Sequence, residues 1–538
     1  MRQVQFKRRS GSWLIAWVYV AIAGCGNSTG APGSPGSSGA EDDAQGGFRG
    51  KDSSTSFDAG AGKPDLPPEK EKEANFGAPE SSPHFVFIPA TDADRVVKIS
   101  GSTLKVTLVE VGDRPKILRV VPGQDAVLAI DSGSDDVALL RSTETTDDLQ
   151  FLPILHSNAL AMDPSGNYAL AWFDLGKAGA GEIGPTAAVS VLRLTPGKTA
   201  SLTISVGYRP QTVQFTADGK QALVVSADGV SVLNLDALKD GDQAPPVPVS
   251  KNPLDKPTER EVLTTPDGKW AVVRQTGKAA VSVVHLPTHW ITDVTLDSVP
   301  TDLDLVPDGS AALAVLRDSK QVALVPLPAD PTTPVPIVAD VGELTAGLAR
   351  ITDDGKTAVL YTSVAGIEQV ATLDLKTMKV QPFLLRKTVD YVFLPAGSRK
   401  AILVHKPAPG PGNADDPVEA TVDASEGYTL FDLDTGYTKL VLTPVKLTEI
   451  ATSHTPDKAW LLLPDPAGLT HLVQAVDLAS FLTQDFGLGS PPEHVRDLPL
   501  AGVVAVTQTH PTGRITFIGS KTGEAKTVTG YELNALVK

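Results

Sequence analysis

Residues 264–286 read TTPDGKWAVVRQTGKAAVSVVHL. Two runs rich in β-branched and apolar residues, one beginning at Trp270 and one at Ala279, flank the polar break Thr276-Gly277-Lys278. Asp267-Gly268 stands just before the first run, where a two-residue hairpin turn needs a residue that adopts φ > 0 without steric cost. A strand leads in from Arg260, and a looser strand follows in ITDVTL from Ile291. The unit is therefore four short strands joined by turns, with no helical period.

The same plan recurs along the chain. FTADGKQALVVSADGVSVLNL starts at Phe215, LVPDGSAALAVLRDSKQVALVPL at Leu305 and ITDDGKTAVLYTSVAGIEQVATLDL at Ile351. Equivalent turn glycines stand at Gly123, Gly166, Gly219, Gly268, Gly309, Gly355, Gly397 and Gly513, and Pro456-Asp457-Lys458 makes a ninth turn without glycine. Most spacings fall between 41 and 55 residues, the length of one four-stranded sheet with its loops. Val111-Gly112-Asp113-Arg114-Pro115 and Val206-Gly207-Tyr208-Arg209-Pro210 mark the entry to innermost strands. Asp236–Asp240 and Asp477–Phe481 are the two places where single helical turns are expected.

These repeats, with the opening HFVFIPATDADRVVKISGSTLKVTLVEVGDRP, resemble the YVTN-type β-propeller repeats of extracytoplasmic bacterial proteins. The resemblance spans about residues 84–535 and implies an all-β propeller of four-stranded antiparallel blades at 84–538. Nine to ten units are counted. A ring of 7–8 blades is the alternative, with the loop-rich 388–447 region as a degenerate unit. The first unit, from Phe85, reads as lacking an innermost strand, and the last, from Val503, as lacking an outermost one. Missing strands at opposite ends suggest that the termini meet to close the ring and leave no open edge.

The N-terminal part has another character. Residues 1–25 read MRQVQFKRRSGSWLIAWVYVAIAGC, with a basic start, an apolar stretch from Trp13 to Ala23 too short to span a bilayer comfortably, and Ile22-Ala23-Gly24-Cys25 at its end. This resembles the lipobox of bacterial lipoprotein signal peptides, and implies acylation of Cys25 and cleavage before it. The organisation expected is a signal peptide at 1–24, a lipidated Cys25 with a Gly/Ser/Pro-rich tether at 25–83, and the propeller. The tether composition cannot bury enough apolar surface to offset the entropy of ordering it, and it spans roughly 40 Å. Cys25 is the sole cysteine, so no thiol is left for a disulfide, a metal site or nucleophilic catalysis. The resemblance places the protein outside the cytoplasm, held by its lipid to the bacterial cell envelope, with the outer membrane favoured by Gly26-Asn27 after the cysteine.

The chain carries a formal charge of −16, or −20 once the signal's four cationic residues are removed. Such a surface repels nucleic acid, which is not expected as a partner. No Walker loop, dinucleotide fingerprint or G-x-S-x-G stands in a fitting context, so no catalytic residue, cofactor or metal is assigned. His285 and His289 are separated by Pro287, which opposes the helix that an i, i+4 ligand pair needs. Asp131-Ser132-Gly133-Ser134-Asp135-Asp136 offers oxygen ligands for Ca²⁺ but reads as a polar turn between strands. Asp415, Asp416, Glu419, Asp423 and Glu426 read as a solvated acidic loop.

Function is expected on one face. In a propeller the fourth-to-first and second-to-third loops share the top face. The two long insertions, Asp174–Thr186 and Lys406–Gly427, fall in second-to-third loops. The top of the central opening should be ringed by Arg114, Arg209, Glu259, Arg260, Asp302, Lys387, Asp390 and Glu449. These features point to a non-catalytic binding or scaffold module for an envelope protein or polysaccharide. Resemblance to lactonase-type propellers implies the alternative, a metal-dependent hydrolase using the central opening.

Overall fold

A computed structural model describes residues 75–252, 255–412, 415–453, 457–465 and 471–531. The signal peptide, Cys25, the tether through residue 74, and His454 and Pro456 lie outside the described residues. The rest forms ten sheets, each an antiparallel meander in chain order. Their first strands are Glu80–Ser81, Pro115–Val120, Ala159–Met162, Pro210–Phe215, Arg260–Thr264, Asp302–Leu305, Leu348–Ile351, Val389–Phe393, Glu449–Thr452 and Pro492–Leu498. Successive first strands approach one another around a central opening. The fold is a ten-bladed β-propeller, larger than the alternative of 7–8 blades.

Ten hydrophobic clusters hold the ring, one in each seam between neighbouring blades. This explains the patterning of the sequence. Second strands such as Phe85–Ala90 and Ala311–Leu316 are buried at every residue, because neighbouring blades cover both of their faces. First strands are only half buried, because one edge looks into the opening, and outer strands such as Lys379–Leu384 are mostly exposed.

The repeat signature has a local cause. In the fifth blade the Thr265 hydroxyl donates to Asp267 Oδ1 at 2.6 Å and accepts the Trp270 N–H at 3.0 Å, while the Gly268 N–H donates to the Thr265 carbonyl at 2.9 Å. Thr216/Asp218 and Thr352/Asp354 repeat the arrangement. The Thr216 hydroxyl and the Lys220 N–H hold the Asp218 carboxyl below its ordinary range. All eight turn glycines have φ between 66° and 83°.

Several expectations need correction. Neither end lacks a strand. The first blade's innermost strand is Glu80–Ser81, upstream of residue 84, and the last blade runs from Pro492–Leu498 to Ala525–Thr529. Val503–Gln508 is thus a second strand, Gly502 makes the first turn of that blade with φ 68°, and Gly513 makes the next one. Region 388–447 is a complete blade, not a degenerate unit. The three-stranded sheet is the fourth, Pro210–Phe215, Gln221–Ser226 and Val230–Asn234, whose outer position is reduced to a bridge between Val230 and Val247. Gly229 permits that bridge, since a Cβ there would lie 2.0 Å from the Val247 carbonyl. Asp236–Asp240 and Asp477–Phe481 contain turns and strand residues rather than helix. The α-helix among the described residues is Pro417–Ala424, started by Asp416, whose side chain accepts the Val418 N–H, with proline in the first turn.

Candidate functional site at the top face and central opening

The meander topology puts both insertions on the top face. Each is tied down at its base. In the first, Asn158 exchanges two hydrogen bonds with the backbone of Asp174, at 2.7 and 3.0 Å. His156 bridges Asp135 Oδ1 of the second blade at 2.6 Å and Glu182 Oε1 of the insertion at 3.3 Å. In the second, Lys387 lies beneath the C-terminal end of the helix. Its Nζ donates to the carbonyls of Val422 and Asp423, where the helix dipole favours a cation. Asp423 in turn accepts the Gly410 N–H at 2.9 Å, and Glu419 pairs with Arg386 at 2.5 Å. Asp416, Glu419 and Asp423 of the acidic loop therefore have separate structural partners. The tips remain free: Ile183 is 86% exposed and Val418 is 60% exposed.

The second entry mark also has a structural role. Gly112 and Asp113 donate their N–H groups to Asp131 Oδ2 and Ser134 Oγ, at 3.0 and 3.1 Å. Gly207 and Tyr208 donate to Ser231 Oγ and Asp228 Oδ2, at 3.1 and 2.8 Å. The 131–136 stretch is thus a hairpin that anchors the preceding top loop. Arg114 and Arg209 follow at φ 55° each.

The eight rim residues sort by depth. Arg114, Arg209 and Glu259 are exposed; Arg209 stacks on Tyr208 with 5.1 Å to the ring centroid, and Glu259 pairs with Lys256 at 2.9 Å. Arg260, Asp302, Asp390 and Glu449 are half buried in the wall. Arg260 donates to the carbonyls of Ser226 and Ala227, and Asp390 lies 3.7 Å from Lys406. Lys387 is fully buried, so it faces the helix and not a ligand.

Sequence reading missed the partners that turn this wall into two charged patches. On one side, Glu449 bonds Arg496 Nη1 at 2.5 Å and His494 Nδ1 at 3.1 Å, and Glu80 bonds Arg119 at 2.9 Å. Burial works to raise the Glu449 carboxyl, but the bonds from His494 and Arg496 outweigh it and hold it below its ordinary range. Glu80 is raised, because burial there exceeds the pull of Arg119 and Arg496. On another side, Arg274 bonds Glu261 at 2.9 Å, Asp302 accepts the Ala349 N–H at 2.8 Å, and Arg350 lies 3.6 Å from Asp304. Burial, reinforced by the charge of Asp302, pushes Asp304 up to about 7. The available signal was charge at alternate positions of short strands, as in Asp302-Leu303-Asp304 and His494-Val495-Arg496. Among the described residues no three His, Cys, Asp or Glu side chains converge to hold a metal ion.

No protein-family model matches this chain, and a search of the curated proteins returns no match. Solved structures with some likeness include a eukaryotic initiation factor, at 12% identity over 77% of this chain and 97% of that one, with a TM-score of 0.46. Dihydro-heme d1 dehydrogenase NirN in complex with DHE covers 70% of this chain and 76% of its own at 13% identity, TM-score 0.36. Kuenenia stuttgartiensis hydrazine synthase covers 60% and 97% at 16% identity, TM-score 0.29. Likeness at this level carries no argument about activity or ligand.

Proposed function

We propose that this protein is a lipid-anchored, extracytoplasmic binding or scaffold module that presents the top face of its ring to an envelope protein or polysaccharide. The observation that carries the reading is the placement of both long insertions on one face, each anchored at its base and carrying an apolar side chain into solvent at its tip. The Ile22-Ala23-Gly24-Cys25 stretch supports the anchor, and the tether composition supports a domain held clear of the headgroups. A hydrolytic role has less support, since the wall carboxylates are bonded to arginines, to His494 or to a backbone N–H.

The test is affinity capture from envelope extracts with the full chain, comparing wild type with the double variant Ile183→Asp, Val418→Asp. Loss of a co-purifying protein or glycan in the variant supports the reading. Identical capture by both overturns the assignment of the top face. Cys25→Ser tests the anchor separately: it should abolish incorporation of a fatty-acid probe, and equal labelling of both proteins would refute lipidation.

A further inference from the structure

A cavity of about 340 Å³ opens in the seam between the last blade and the first. That volume lies at the lower end of the range for small-ligand sites, roughly 300–1,000 Å³. Its apolar lining comes from Phe76, Ile88 and Tyr531, and its polar lining includes Glu493, Thr507 and His510. Phe76 is held in place by the chain on either side of it. The Thr91 N–H donates to the Asn75 carbonyl at 3.0 Å, and the Gly77 N–H donates to the Pro89 carbonyl at 2.9 Å. Gly77 is needed for this close approach, since a Cβ would lie 2.7 Å from the Pro89 ring. Phe76 then meets Tyr531 edge to face at 5.2 Å.

The polar groups have unused capacity. Thr507 is 5% exposed, and its Oγ1 has no hydrogen-bond partner. An unsatisfied buried hydroxyl in a seam is costly unless something else fills the need. His510 Nδ1 accepts the Thr512 N–H at 3.2 Å, which leaves the proton of the neutral ring on Nε2 as a donor. Glu493, exposed at the mouth, accepts from the Thr509 hydroxyl through Oε1 at 3.1 Å and keeps Oε2 as an acceptor. These three groups thus offer one donor, one acceptor and one group that is both, beside aromatic and aliphatic carbon, and Asn75, Gln508 and Thr509 add further polar lining. Vicinal hydroxyls on a ring with an apolar C–H face match that set. An anionic ligand would meet the Glu493 carboxylate.

We infer that this seam cavity binds a neutral polyhydroxylated ligand, the terminal sugar unit or disaccharide of a glycan. The inference goes beyond the top-face reading and does not depend on it, because the cavity is separate from both insertions.

The test is calorimetric titration, with saturation-transfer NMR, of the full chain against maltose, cellobiose and N,N′-diacetylchitobiose. A uronic-acid disaccharide and tetramethylammonium serve as charged controls. Saturable binding of at least one neutral disaccharide is expected. Thr507→Val and Glu493→Gln should each weaken it roughly tenfold, the effect of losing one ligand hydrogen bond. Glu493→Gln should keep the wild-type thermal transition and Thr507→Val should keep or raise it, since neither removes an apolar contact and valine eliminates the unpartnered buried hydroxyl. The Ile183→Asp, Val418→Asp protein should bind the sugar like wild type, which separates this site from the top face. Absence of saturable binding by any neutral disaccharide, binding unchanged in both seam variants, or preference for either charged control would overturn the assignment.

Discussion

Arg496 donates from Nε to the carbonyl of Pro79 at 2.9 Å, across 417 residues of sequence, while its Nη1 meets Glu449 at 2.5 Å. One guanidinium therefore ties together the ninth, tenth and first blades. Its side chain is 13% exposed, so water does little to screen these bonds.

Arg496→Met should be strongly destabilising, because it leaves the Glu449 carboxylate half buried beside His494 alone. Breaking a buried pair by removing one partner costs about 3–5 kcal/mol. Denaturant unfolding measures the loss, and a midpoint shift equivalent to under about 1 kcal/mol, the worth of a surface pair, would show that the contact is incidental.

Truncation from either end should reveal where the ring begins and closes. Deletion through residue 72 removes no described contact and should leave the thermal transition unchanged. Deletion through Ser82 removes the innermost strand, the Phe76–Tyr531 contact and the Arg496–Pro79 bond, and should lower the transition by many degrees. Ending the chain at Pro499 deletes three strands of the last blade and uncovers the seam core around Val86, Ile88 and Ile99. At about 25 cal/mol per Å², several hundred Å² on each exposed face costs on the order of 10 kcal/mol, as much as a typical domain's whole stability. That fragment should aggregate. A cooperative, soluble 81–499 protein would contradict this account of closure.

Asp131 should make stability fall as pH rises from about 4 to about 8. Its carboxyl is fully buried, and burial followed by its bond to Asp136 across the hairpin pushes it from 3.8 up to about 8. Neither Asp131 Oδ1 nor Asp136 Oδ1 receives a bond from another group, and a proton held between them settles both. The folded chain keeps a proton that the unfolded chain releases. The group's contribution is therefore complete below about pH 4 and is lost as pH rises through about 8. Asp131→Asn retains an acceptor for the Gly112 N–H and donates to Asp136 without a titrating proton. It should stabilise the protein at about pH 9 by a few kcal/mol relative to its effect at about pH 4. Parallel stability curves for wild type and variant would refute the shared proton.

Lys387→Met should loosen the second insertion without unfolding the ring. The variant removes the ammonium that caps the helix carbonyls of Val422 and Asp423 but keeps the buried stem volume. Limited proteolysis should cut within residues 406–427 several-fold faster, with global unfolding changed far less. Unchanged cleavage would mean that the Asp423–Gly410 bond and the Arg386–Glu419 pair suffice.

The amino-acid sequence by itself determined the all-β class, the four-strand repeat and the turn positions. Those depend on neighbours a few residues apart: the Asp-Gly turn, the threonine two residues before that aspartate, and apolar runs of strand length. The ends of the ring were not legible, and the reason is geometric. Glu80–Ser81 is too short to carry a pattern. Pro492–Leu498, PEHVRDL, reads as polar because a first strand buries only part of its surface. The helix of the second insertion was also hidden, since its eight residues bury only Val422 and show no apolar stripe. Blade number depends on how ten seam cores pack around a closed circle, and no single repeat states the angle between blades. Glu449 was legible as a charge near the opening, but its bonds to His494 and Arg496 were not. Those partners stand 45 and 47 residues away, about one repeat along the chain. Only the closed ring sets the first strand of one blade against that of the next, and so decides which charges meet.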